Sequence, residues 1–483
     1  MLCSGIATAK MRAARVDANR LSCVPATRIP ARIVLDVVAL VDVVLVLVAA
    51  ALAKFAYIAF FLADEQPLGQ YVIAGLAGGI IVQYVIRARH LHEGKAIVAW
   101  RSRLGEMLFA IGFAFLTLIA LAYALKISAS YSRGWLFTWL VLTVVLLTAS
   151  RPGIAHLLNW LTAAGYTARR IAVVSEGTAR ERLVEALRGV SGVWVVGEFA
   201  PSDKDCQPAS EGTIADLIAI GQRDEIDEVV IALTETPQLR AAQLVEELSV
   251  LPVDVWLCPP DFGTPILGSS RLGSLCLLQV QPMPIRGWGY VLKAIFDYVA
   301  ATACLLLFAP LMLLIAVAIK VDTRGPVFFR QRRHGFNHRI IDVFKFRTMT
   351  VTENGDRVDQ ARKNDPRVTR VGRLLRRTSL DELPQLFNVL RGEMSLVGPR
   401  PHALTHNQHY RERLDRYASR HCVKPGMTGW AQINGLRGPT EDLEKMRLRV
   451  HMDLYYIKNW SLWLDLKIIA ATPFVGFIHP NAL

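Results

Sequence analysis

The sequence predicts a membrane α/β protein: a four-helix transmembrane bundle, a Rossmann-like parallel α/β module, a re-entrant membrane helix and a mostly α domain at the membrane interface. Three observations predict this fold class. Four apolar stretches fill the first 150 residues, strand and helix patterns alternate in the middle, and a fifth apolar stretch precedes a basic C-terminal third. The predicted boundaries are 1–30 for a cytosolic tail, 31–150 for the bundle, 151–285 for the module, 286–322 for the re-entrant helix and 323–483 for the C-terminal domain.

The composition excludes two broad classes of protein. Hydrophobic residues make up 52% of the 483 residues and charged residues 20%, which is too apolar for a disordered chain or an ordinary soluble enzyme. The net charge of +14 is uneven, since residues 151–289 carry 11 Lys and Arg against 17 Asp and Glu, whereas residues 320–483 carry 29 against 16. A basic region of this kind favours nucleic acid, anionic lipid or phosphorylated substrates.

The seven cysteines form no CxxC pair, so we expect reduced thiols and neither a disulfide framework nor a zinc site.

The N-terminal apolar stretches each approach the roughly 20 residues that a helix needs to cross a bilayer. They lie at 33–53, 68–86, 107–125 and 134–149. Basic residues follow the second and fourth stretches, whereas acids follow the first, so the positive-inside rule places both ends of the bundle in the cytosol. The arginine-containing tail before them lacks a cleavage site, so we interpret it as cytosolic and not as a signal peptide. Asp36 and Asp42 lie in or beside the first stretch and are candidates for either a functional or an interfacial role.

Residues 168–285 alternate between strand and helix patterns. Strand runs at 169–177, 193–199 and 253–259, with a helix and a strand in between, predict a parallel, doubly wound sheet. The first strand-to-helix turn has one glycine where a dinucleotide-binding turn has three, and it places Glu176 where the pyrophosphate would lie. The chain also lacks a YxxxK pair. We therefore expect a structural or regulatory module and not a dinucleotide site.

The fifth apolar stretch, 298–319, is long enough to span a membrane, but two features predict re-entry. Pro310 lies near its middle, where it removes a backbone hydrogen bond, so we expect the helix to kink or break there. Basic residues also flank both ends, among them Lys293 before it and Lys320 after it. A helix that enters and leaves the same leaflet keeps both flanks in the cytosol.

The run at 325–349 contains two β-like segments in which Arg330, Lys345 and Arg347 interleave with five phenylalanines. A charge run is usually a solvated face. Because this run directly follows a membrane segment, we interpret it as a surface against lipid headgroups whose inward cations bind phosphates.

Two adjacent carboxylates, Asp381 and Glu382, lie just before Pro384. Proline fits only the first turn of a helix, which predicts a helix that starts near Leu380 or Asp381. The two carboxylates then either cap the helix, where their charge interacts favourably with the helix dipole, or form a pair that binds phosphates together with Arg376 and a divalent ion. In the second interpretation one carboxylate attacks phosphorus while its neighbour holds or orients the metal.

Two glycine-containing segments add polar side chains. The GPRP turn at 398–401 aims Arg400, which can bind a phosphate with two guanidinium nitrogens. The loop at 424–438 offers Gln432 and Arg437 as polar contacts and lacks the spacing of a P-loop.

Three motifs together resemble a known family. KFRTM at 345–349, TSLDELPQLFNVLRGEMSLVGPRP at 378–401 and KPGMTGWAQINGLRG at 424–438 are similar to the bacterial sugar transferases, or polyprenyl-phosphate hexose-1-phosphate transferases. The resemblance covers about 286–483 closely. The order of the four structural parts resembles the long undecaprenyl-phosphate glucose phosphotransferase type. Ala309 departs from the pattern, since short members have Ser-Pro at this position.

The resemblance implies a role for each matching residue. The nucleophilic aspartate of the family matches Asp381 and its neighbouring acid matches Glu382, and the two carboxylates are the implied ligands of Mg²⁺. Conserved arginines of the family match Arg376 and Arg400, and the lysine of its KFR motif matches Lys345.

The implied reaction transfers hexose-1-phosphate, with glucose as the first choice by family type, from a UDP-sugar to undecaprenyl phosphate and releases UMP. It begins exopolysaccharide or capsule assembly on the cytosolic face of the bacterial inner membrane. Galactose and N-acetylhexosamines are alternative sugars. The implied partners are the UDP-sugar, undecaprenyl phosphate and membrane lipids but not nucleic acid, and a homodimer is left open.

Two other functional classes stay open. One is a membrane-bound NAD-dependent sugar-modifying enzyme, which the incomplete glycine turn disfavours. The other is a non-catalytic scaffold for polysaccharide assembly, which the intact carboxylate pair disfavours.

Overall fold

The structure is a computed structural model in which the chain divides after Ala168 into two compact units. The residues whose structure is described are 29–61, 67–175, 179–188, 190, 192–201, 212–223, 225–232, 238–258, 270–272, 275–350, 365–402, 404–411, 413–414, 416–436 and 443–478.

Helices form the described part of the N-terminal unit. They are α1 (Ala31–Phe61), α2 (Leu68–Ala88), the short α3 (Gly94–Val98), α4 (Leu104–Ala124) and α5 (Arg133–Ala163), with a 3₁₀ turn at Ser128–Ser130. Each of the four long helices overlaps one of the four predicted apolar stretches. Most of the helices begin before or end after the corresponding stretch, because hydropathy marks only the apolar part of a helix. Together with a helix at Trp288–Asp322, these are the five helices of the described chain that are long and apolar enough to cross a membrane.

A tryptophan pair joins α1 to α5. The indole N–H groups of Trp135 and Trp139 donate to the carbonyls of Ala50 at 3.1 Å and Val46 at 3.0 Å. Both indoles are buried, and their rings stack with centroids 4.9 Å apart. Aromatic stacking and satisfied indole hydrogen bonds therefore fix the two helices against each other.

Both acids of the first apolar stretch form ion pairs. Asp42 accepts from Arg151 at 2.9 Å, with both side chains buried, and Asp36 accepts from Arg87 at 3.1 Å. A paired charge costs far less to bury than an isolated one. The buried pair supports a structural role for Asp42, whereas the pair of Asp36 is partly exposed.

The module at the start of the second unit is a seven-stranded sheet with flanking helices. Its elements are β1 (Arg169–Ser175), α6 (Ala179–Arg188), β2 (Val193–Ala200), β3 (Gly212–Thr213), α7 (Ile214–Gly221), β4 (Glu228–Ala232), α8 (Gln238–Leu248), β5 (Asp254–Cys258), β6 (Ser270–Leu272) and β7 (Leu275–Gln281).

The strand order of this sheet is β3-β2-β1-β4-β5-β7-β6. The first five strands are parallel, and β7 and β6 are antiparallel additions at one edge. The prediction of a parallel, doubly wound sheet is confirmed, whereas the antiparallel pair was not predicted. Glu176 and the rest of the first strand-to-helix turn, 176–178, lie outside the described residues.

The C-terminal part of the second unit is mostly helical. Its elements are α9 (Trp288–Asp322), β8 (Phe328–His334), β9 (Ile340–Phe346), α10 (Arg370–Thr378), α11 (Gln385–Leu390), β10 (Ser395–Val397), α12 (Leu404–Arg411), β11 (Gly426–Thr428), α13 (Trp430–Ile433), α14 (Leu443–Lys458) and α15 (Leu462–Ile478), with 3₁₀ turns at Phe336–His338, Leu380–Glu382 and Tyr417–Cys422. The two β-like segments at 325–349 form the antiparallel hairpin β8–β9. Strands β10 and β11 pair in parallel.

The helix predicted to start near Leu380 is divided in two. A 3₁₀ turn covers Leu380–Glu382, and the α-helix begins only at Gln385. Pro384 has no N–H to donate, and the bonds around it run from Leu383 to Leu380 and from Phe387 to Pro384, three residues apart. The carboxylate pair therefore lies on a 3₁₀ turn and not on the first turn of an α-helix.

Helix α9 is continuous through Pro310, so the predicted break in the helix is wrong. A proline removes only the hydrogen bond that its own N–H would donate and crowds one carbonyl, while the bonds on either side can persist. The kink that we expected as the other outcome is compatible with a continuous helix.

One side of α9 packs against the C-terminal domain along both of its halves. Lys293 donates to the carbonyl of Val397 at 3.1 Å and to Asp465 at 2.7 Å. Near the other end, Ile319 packs in one apolar cluster with Phe346. The other side exposes large apolar side chains, including Leu306 (73%), Leu313 (68%) and Val321 (83%).

Candidate active site

Asp381 and Glu382 lie on the 3₁₀ turn between α10 and α11, beside the end of β9. Ser379, at φ 58°, ends α10 and turns the chain into this segment. Gly372 lies against the backbone of Thr348 so closely that a Cβ would overlap the Thr348 carbonyl. This approach brings α10, and the turn that follows it, next to the strand hairpin.

Glu382 is held by two cations. Its Oε1 accepts from Lys345 Nζ at 2.9 Å and from Arg400 Nη2 at 2.5 Å, and its Oε2 accepts from Arg400 Nη1 at 3.1 Å. Burial alone would raise the pKa of Glu382, but the charges of Arg400 and Lys345 hold that pKa well below its ordinary value. Glu382 therefore remains ionised and keeps both cations in place.

Asp381 has a different environment. It is 9% exposed, and its carboxylate accepts no hydrogen bond from any residue of the described chain. Burial raises the pKa of Asp381, while the charges of Lys345 and Arg376 oppose that rise. The turn therefore presents one carboxylate that is bound on both oxygens and one whose oxygens have no hydrogen-bond partner in the described chain.

The fit of a metal ion differs between the two carboxylates. The described residues contain no group of three or more His, Cys, Asp or Glu arranged to hold a metal. Mg²⁺ is commonly bound by one or two carboxylates together with substrate phosphates. Asp381 fits that pattern, whereas Glu382 does not in this arrangement, because cations occupy both of its oxygens.

Two of the remaining predicted residues lie near the pair or near α9. Arg376 Nη2 lies 3.8 Å from Met349 Sδ, and the charge of Arg376 acts on Asp381. Arg347 instead donates to the carbonyls of Arg324 at 2.7 Å and Thr323 at 2.8 Å. Its guanidinium therefore fixes the end of α9 to strand β9.

The other predicted binding residues lie elsewhere. Arg330 stacks over the ring of Phe344 at 5.2 Å, on the face of the hairpin opposite to Lys345, because neighbouring strand residues point to opposite faces. Gln432 is buried in α13, and its Oε1 has no hydrogen-bond partner in the described chain. Arg437 lies outside the described residues.

Arg333 belongs to the run that was predicted to carry inward, phosphate-binding cations, but sequence reasoning did not single it out as a site residue. Its charge interacts with Arg400 and Glu382, and burial together with Arg400 lowers the pKa of Arg333 to about 10. The register of β8 and β9 places Arg333, and not Arg330, on the face of Lys345. Because side chains alternate between the two faces of a strand, Arg330 and Arg333 must lie on opposite faces of β8. Only the pairing register with β9 shows which of them shares a face with Lys345.

Comparisons with known proteins identify the family of this chain. The family model described as bacterial sugar transferase matches residues 288–479, and one described as a CoA-binding domain matches residues 88–259. The chain is 44% identical over 356 residues to the UDP-glucose:undecaprenyl-phosphate glucose-1-phosphate transferase of Escherichia coli (strain K12), covering 72% of this chain and 76% of that protein.

Two further relatives widen the comparison. The protein of the same name from Xanthomonas campestris pv. campestris is 40% identical over 395 residues, covering 77% of this chain and 81% of that protein. The UDP-N-acetylgalactosamine-undecaprenyl-phosphate N-acetylgalactosaminephosphotransferase of Aeromonas hydrophila is 42% identical over 206 residues, covering 43% of this chain and 46% of that protein.

The family match encloses the whole constellation around the carboxylate pair. Lys345, Arg376, Asp381, Glu382 and Arg400 all lie within the region matched by the sugar transferase model. The long relatives extend the similarity over most of the chain. The chain is therefore a member of the bacterial sugar transferase family.

Proposed function

We propose that this chain transfers glucose-1-phosphate from UDP-glucose to undecaprenyl phosphate and releases UMP. The observation that carries the proposal is the contrast between Asp381, buried without a hydrogen-bond partner in the described chain, and Glu382, bound by Lys345 and Arg400. Relatives that are 44% and 40% identical over about three quarters or more of their length are named for this reaction.

Asp381 is the nucleophile in this proposal. A bond forms between a carboxylate oxygen of Asp381 and the phosphorus next to the sugar, while the bond from that phosphorus to the bridging oxygen breaks and UMP leaves with the electron pair. An oxygen of undecaprenyl phosphate then attacks the same phosphorus and releases the Asp381 carboxylate. An ionised carboxylate needs no general base, and the pKa of Asp381, raised by burial, makes its oxygens more basic.

The cations around the pair support phosphate binding. Lys345 and Arg400 act on both carboxylates, Arg376 acts on Asp381 and Arg333 acts on Glu382. Positive charge is therefore in excess where a diphosphate would lie. Glu382 orients two of these cations before substrate arrives, which lowers the cost of ordering them on binding.

Mg²⁺ is part of the proposal through Asp381 alone. The Asp381 carboxylate and the substrate phosphates would hold the ion, because Glu382 is occupied by cations. When bound, Mg²⁺ supplies charge neutralisation for the diphosphate.

The proposed location is the bacterial inner membrane, with α1, α2, α4 and α5 as a membrane-spanning bundle and the catalytic domain in the cytosol. Lys293 and Ile319 of α9 both contact this domain, and a straight α-helix rises about 39 Å between those positions. The hydrocarbon core is only about 30 Å thick, so a domain on one side cannot reach both ends of a crossing helix. Both ends of α9 therefore lie on the same side of the membrane in this proposal, as re-entry with a kink at Pro310 requires, and the basic flanks favour the cytosolic side.

A transfer assay on the purified full-length protein tests the proposal. Undecaprenyl phosphate would be incubated with UDP-glucose, UDP-galactose and UDP-N-acetylhexosamines, each labelled in the phosphate next to the sugar. We expect UDP-glucose to give labelled lipid and UMP at least tenfold faster than the others. Preferred transfer from another UDP-sugar would reassign the sugar, and an absence of lipid product from every donor would reject the reaction.

A further inference from the structure

The 3₁₀ helix Tyr417–Cys422 lies against the turn that carries Arg400. Its Arg420 is only 2% exposed. Arg420 Nη2 donates to the backbone carbonyl of Arg400 at 3.0 Å and to Asp453 Oδ2 at 2.6 Å. Arg420 therefore holds the main chain of Arg400, whereas Glu382 holds its side chain.

A second guanidinium holds the next residue of the turn. Arg333 of β8 donates to the carbonyl of Pro401. The turn is thus attached at two consecutive carbonyls, one to the 3₁₀ helix and one to the hairpin. A shift of either element would displace Arg400, and phosphate-binding groups need to stay within about 0.5 Å of the productive geometry.

The Rossmann-like module contacts this 3₁₀ helix on both sides of Arg420. Ser419 Oγ lies 3.0 Å from Ser249 Oγ, and Cys422 Sγ donates to the carbonyls of Ser249 at 3.5 Å and Val250 at 3.4 Å. Burial raises the pKa of the Cys422 thiol to about 12, so it keeps its proton as a donor. Ser249 and Val250 directly follow α8.

The module also contacts the hairpin that carries Arg333. Asn337 lies in the turn between β8 and β9 at φ 50° and is 1% exposed. Its Nδ2 donates to the carbonyls of Gly221 at 3.0 Å and Gln222 at 3.1 Å, at the end of α7. The 3₁₀ helix and the hairpin, which together hold the Arg400 turn, therefore both rest on the module through these contacts.

These contacts lie at one edge of the sheet. Helices α7 and α8 lead into β4 and β5, so their carboxyl ends lie at the amino ends of the parallel strands. Ligands of doubly wound folds bind outside the opposite, carboxyl edge. The module thus holds the catalytic domain with the edge that such ligands do not use.

We propose that the Rossmann-like module positions the phosphate-binding turn of the catalytic domain. The module supports the 3₁₀ helix and the hairpin turn, and Arg420 and Arg333 transmit their position to Arg400. Arg420 is a positioning residue here and does not touch substrate. The inference rests on the proposed function in one respect, namely that Arg400 binds a substrate phosphate.

The test variant is Asn337→Asp in the full-length protein. Aspartate tolerates the left-handed backbone of this position, but it loses both donated bonds and sets a carboxylate against two carbonyls. We expect kcat/KM for UDP-glucose to fall roughly fivefold to fiftyfold, since misplacing a binding group by about 1 Å can cost a hundredfold. The matched control is Asn459→Asp, because Asn459 is exposed and donates to one helix carbonyl at 2.9 Å, and it should stay within about twofold of the wild type.

A double-mutant cycle with Arg400→Lys separates positioning from general destabilisation. If the module acts through Arg400, Asn337→Asp should change kcat/KM less than twofold once Arg400 has been replaced. Independent, multiplicative losses would overturn the inference while leaving the proposed function intact. If Arg400→Lys alone had no effect, Arg400 would lose its proposed phosphate role and the inference would fall with it.

Ser249→Ala provides a second variant with little risk to folding. It removes the hydroxyl contact with Ser419 and adds no charge. We expect a smaller loss of kcat/KM, with the same absence of further loss in the Arg400→Lys background. Wild-type kinetics in both Ser249→Ala and Asn337→Asp would overturn the proposal.

Discussion

Arg400 binds the carboxylate of Glu382 with both of its terminal nitrogens, at 2.5 and 3.1 Å. Two-pronged pairs of this kind are strong and directional because the planar guanidinium matches the carboxylate. Lys345 shares one of the same oxygens. Glu382 thus acts as the internal counter-ion of two cations that a substrate phosphate can also use.

Replacing Glu382 should show that its carboxylate competes with a substrate phosphate for Arg400 and Lys345. Glu382→Gln leaves Arg400 and Lys345 without their counter-ion, so we expect the free energy of unfolding to fall by about 3–5 kcal/mol. Added UDP should raise the melting temperature of the variant more than that of the wild type, because the diphosphate replaces the lost charge. Glu444→Gln, which removes an exposed pair with Arg447, should change stability by less than about 1 kcal/mol. An equal response of both proteins to UDP would contradict the competition.

Asp381→Asn should abolish turnover while the fold stays intact, because the amide has the same shape and is a poor nucleophile. Wild-type protein incubated with a labelled UDP-sugar and no lipid acceptor should retain label after denaturation, and the variant should not. Asp342→Asn, an exposed change on β9, serves as the control that keeps its label. Labelling or normal turnover of Asp381→Asn would reject Asp381 as the nucleophile.

The same substitution should stabilise the protein at neutral pH. The pKa of Asp381 is raised in the folded state, so its contribution to stability is present below the unfolded pKa of about 4 and is lost as the pH rises through the folded pKa. Asp381→Asn cannot ionise, so it avoids the loss of stability that ionisation of the buried carboxyl causes. We expect its melting temperature at pH 7 to exceed that of the wild type by roughly 2–5 °C. The difference should shrink as the pH approaches 4. A variant that melts below the wild type at pH 7 would argue against a destabilised carboxylate.

Arg347 should prove to be a stability residue. Its guanidinium donates to the carbonyls of Thr323 and Arg324, so Arg347→Lys breaks hydrogen bonds of a charged group and should cost about 2–4 kcal/mol. KM for UDP-glucose should stay within about twofold of the wild type because the side chain points at α9. Arg332→Lys, on the exposed face of β8, is the control. A raised KM at unchanged stability would instead assign Arg347 to substrate.

A reporter that is active only in the periplasm tests the topology of α9. Fused to the C-terminus it should be silent, since a re-entrant α9 keeps the catalytic domain in the cytosol. The same reporter inserted after Gln66, between the first two apolar stretches of the sequence, should be active. Periplasmic activity of the C-terminal fusion would rule out re-entry.

Local patterns in the sequence determined most of the architecture. Long apolar stretches specify helices that need a membrane, and alternating strand and helix runs specify a parallel sheet, because both depend on periodicity within one segment. The adjacent acids at Asp381 and Glu382 were likewise visible, since chain neighbours are close in any fold.

Only the tertiary structure decided which cations interact with Asp381 and Glu382. Arg330 and Arg333 look alike in the sequence, and the register of β8 with β9 places only Arg333 on the face of Lys345. Arg347 belongs to a predicted phosphate-binding run, yet its contacts are with the end of α9. Arg420 holds the carbonyl of Arg400 from 20 residues away along the chain. These partners come from separate segments, and their distances depend on packing between elements, which no local pattern encodes.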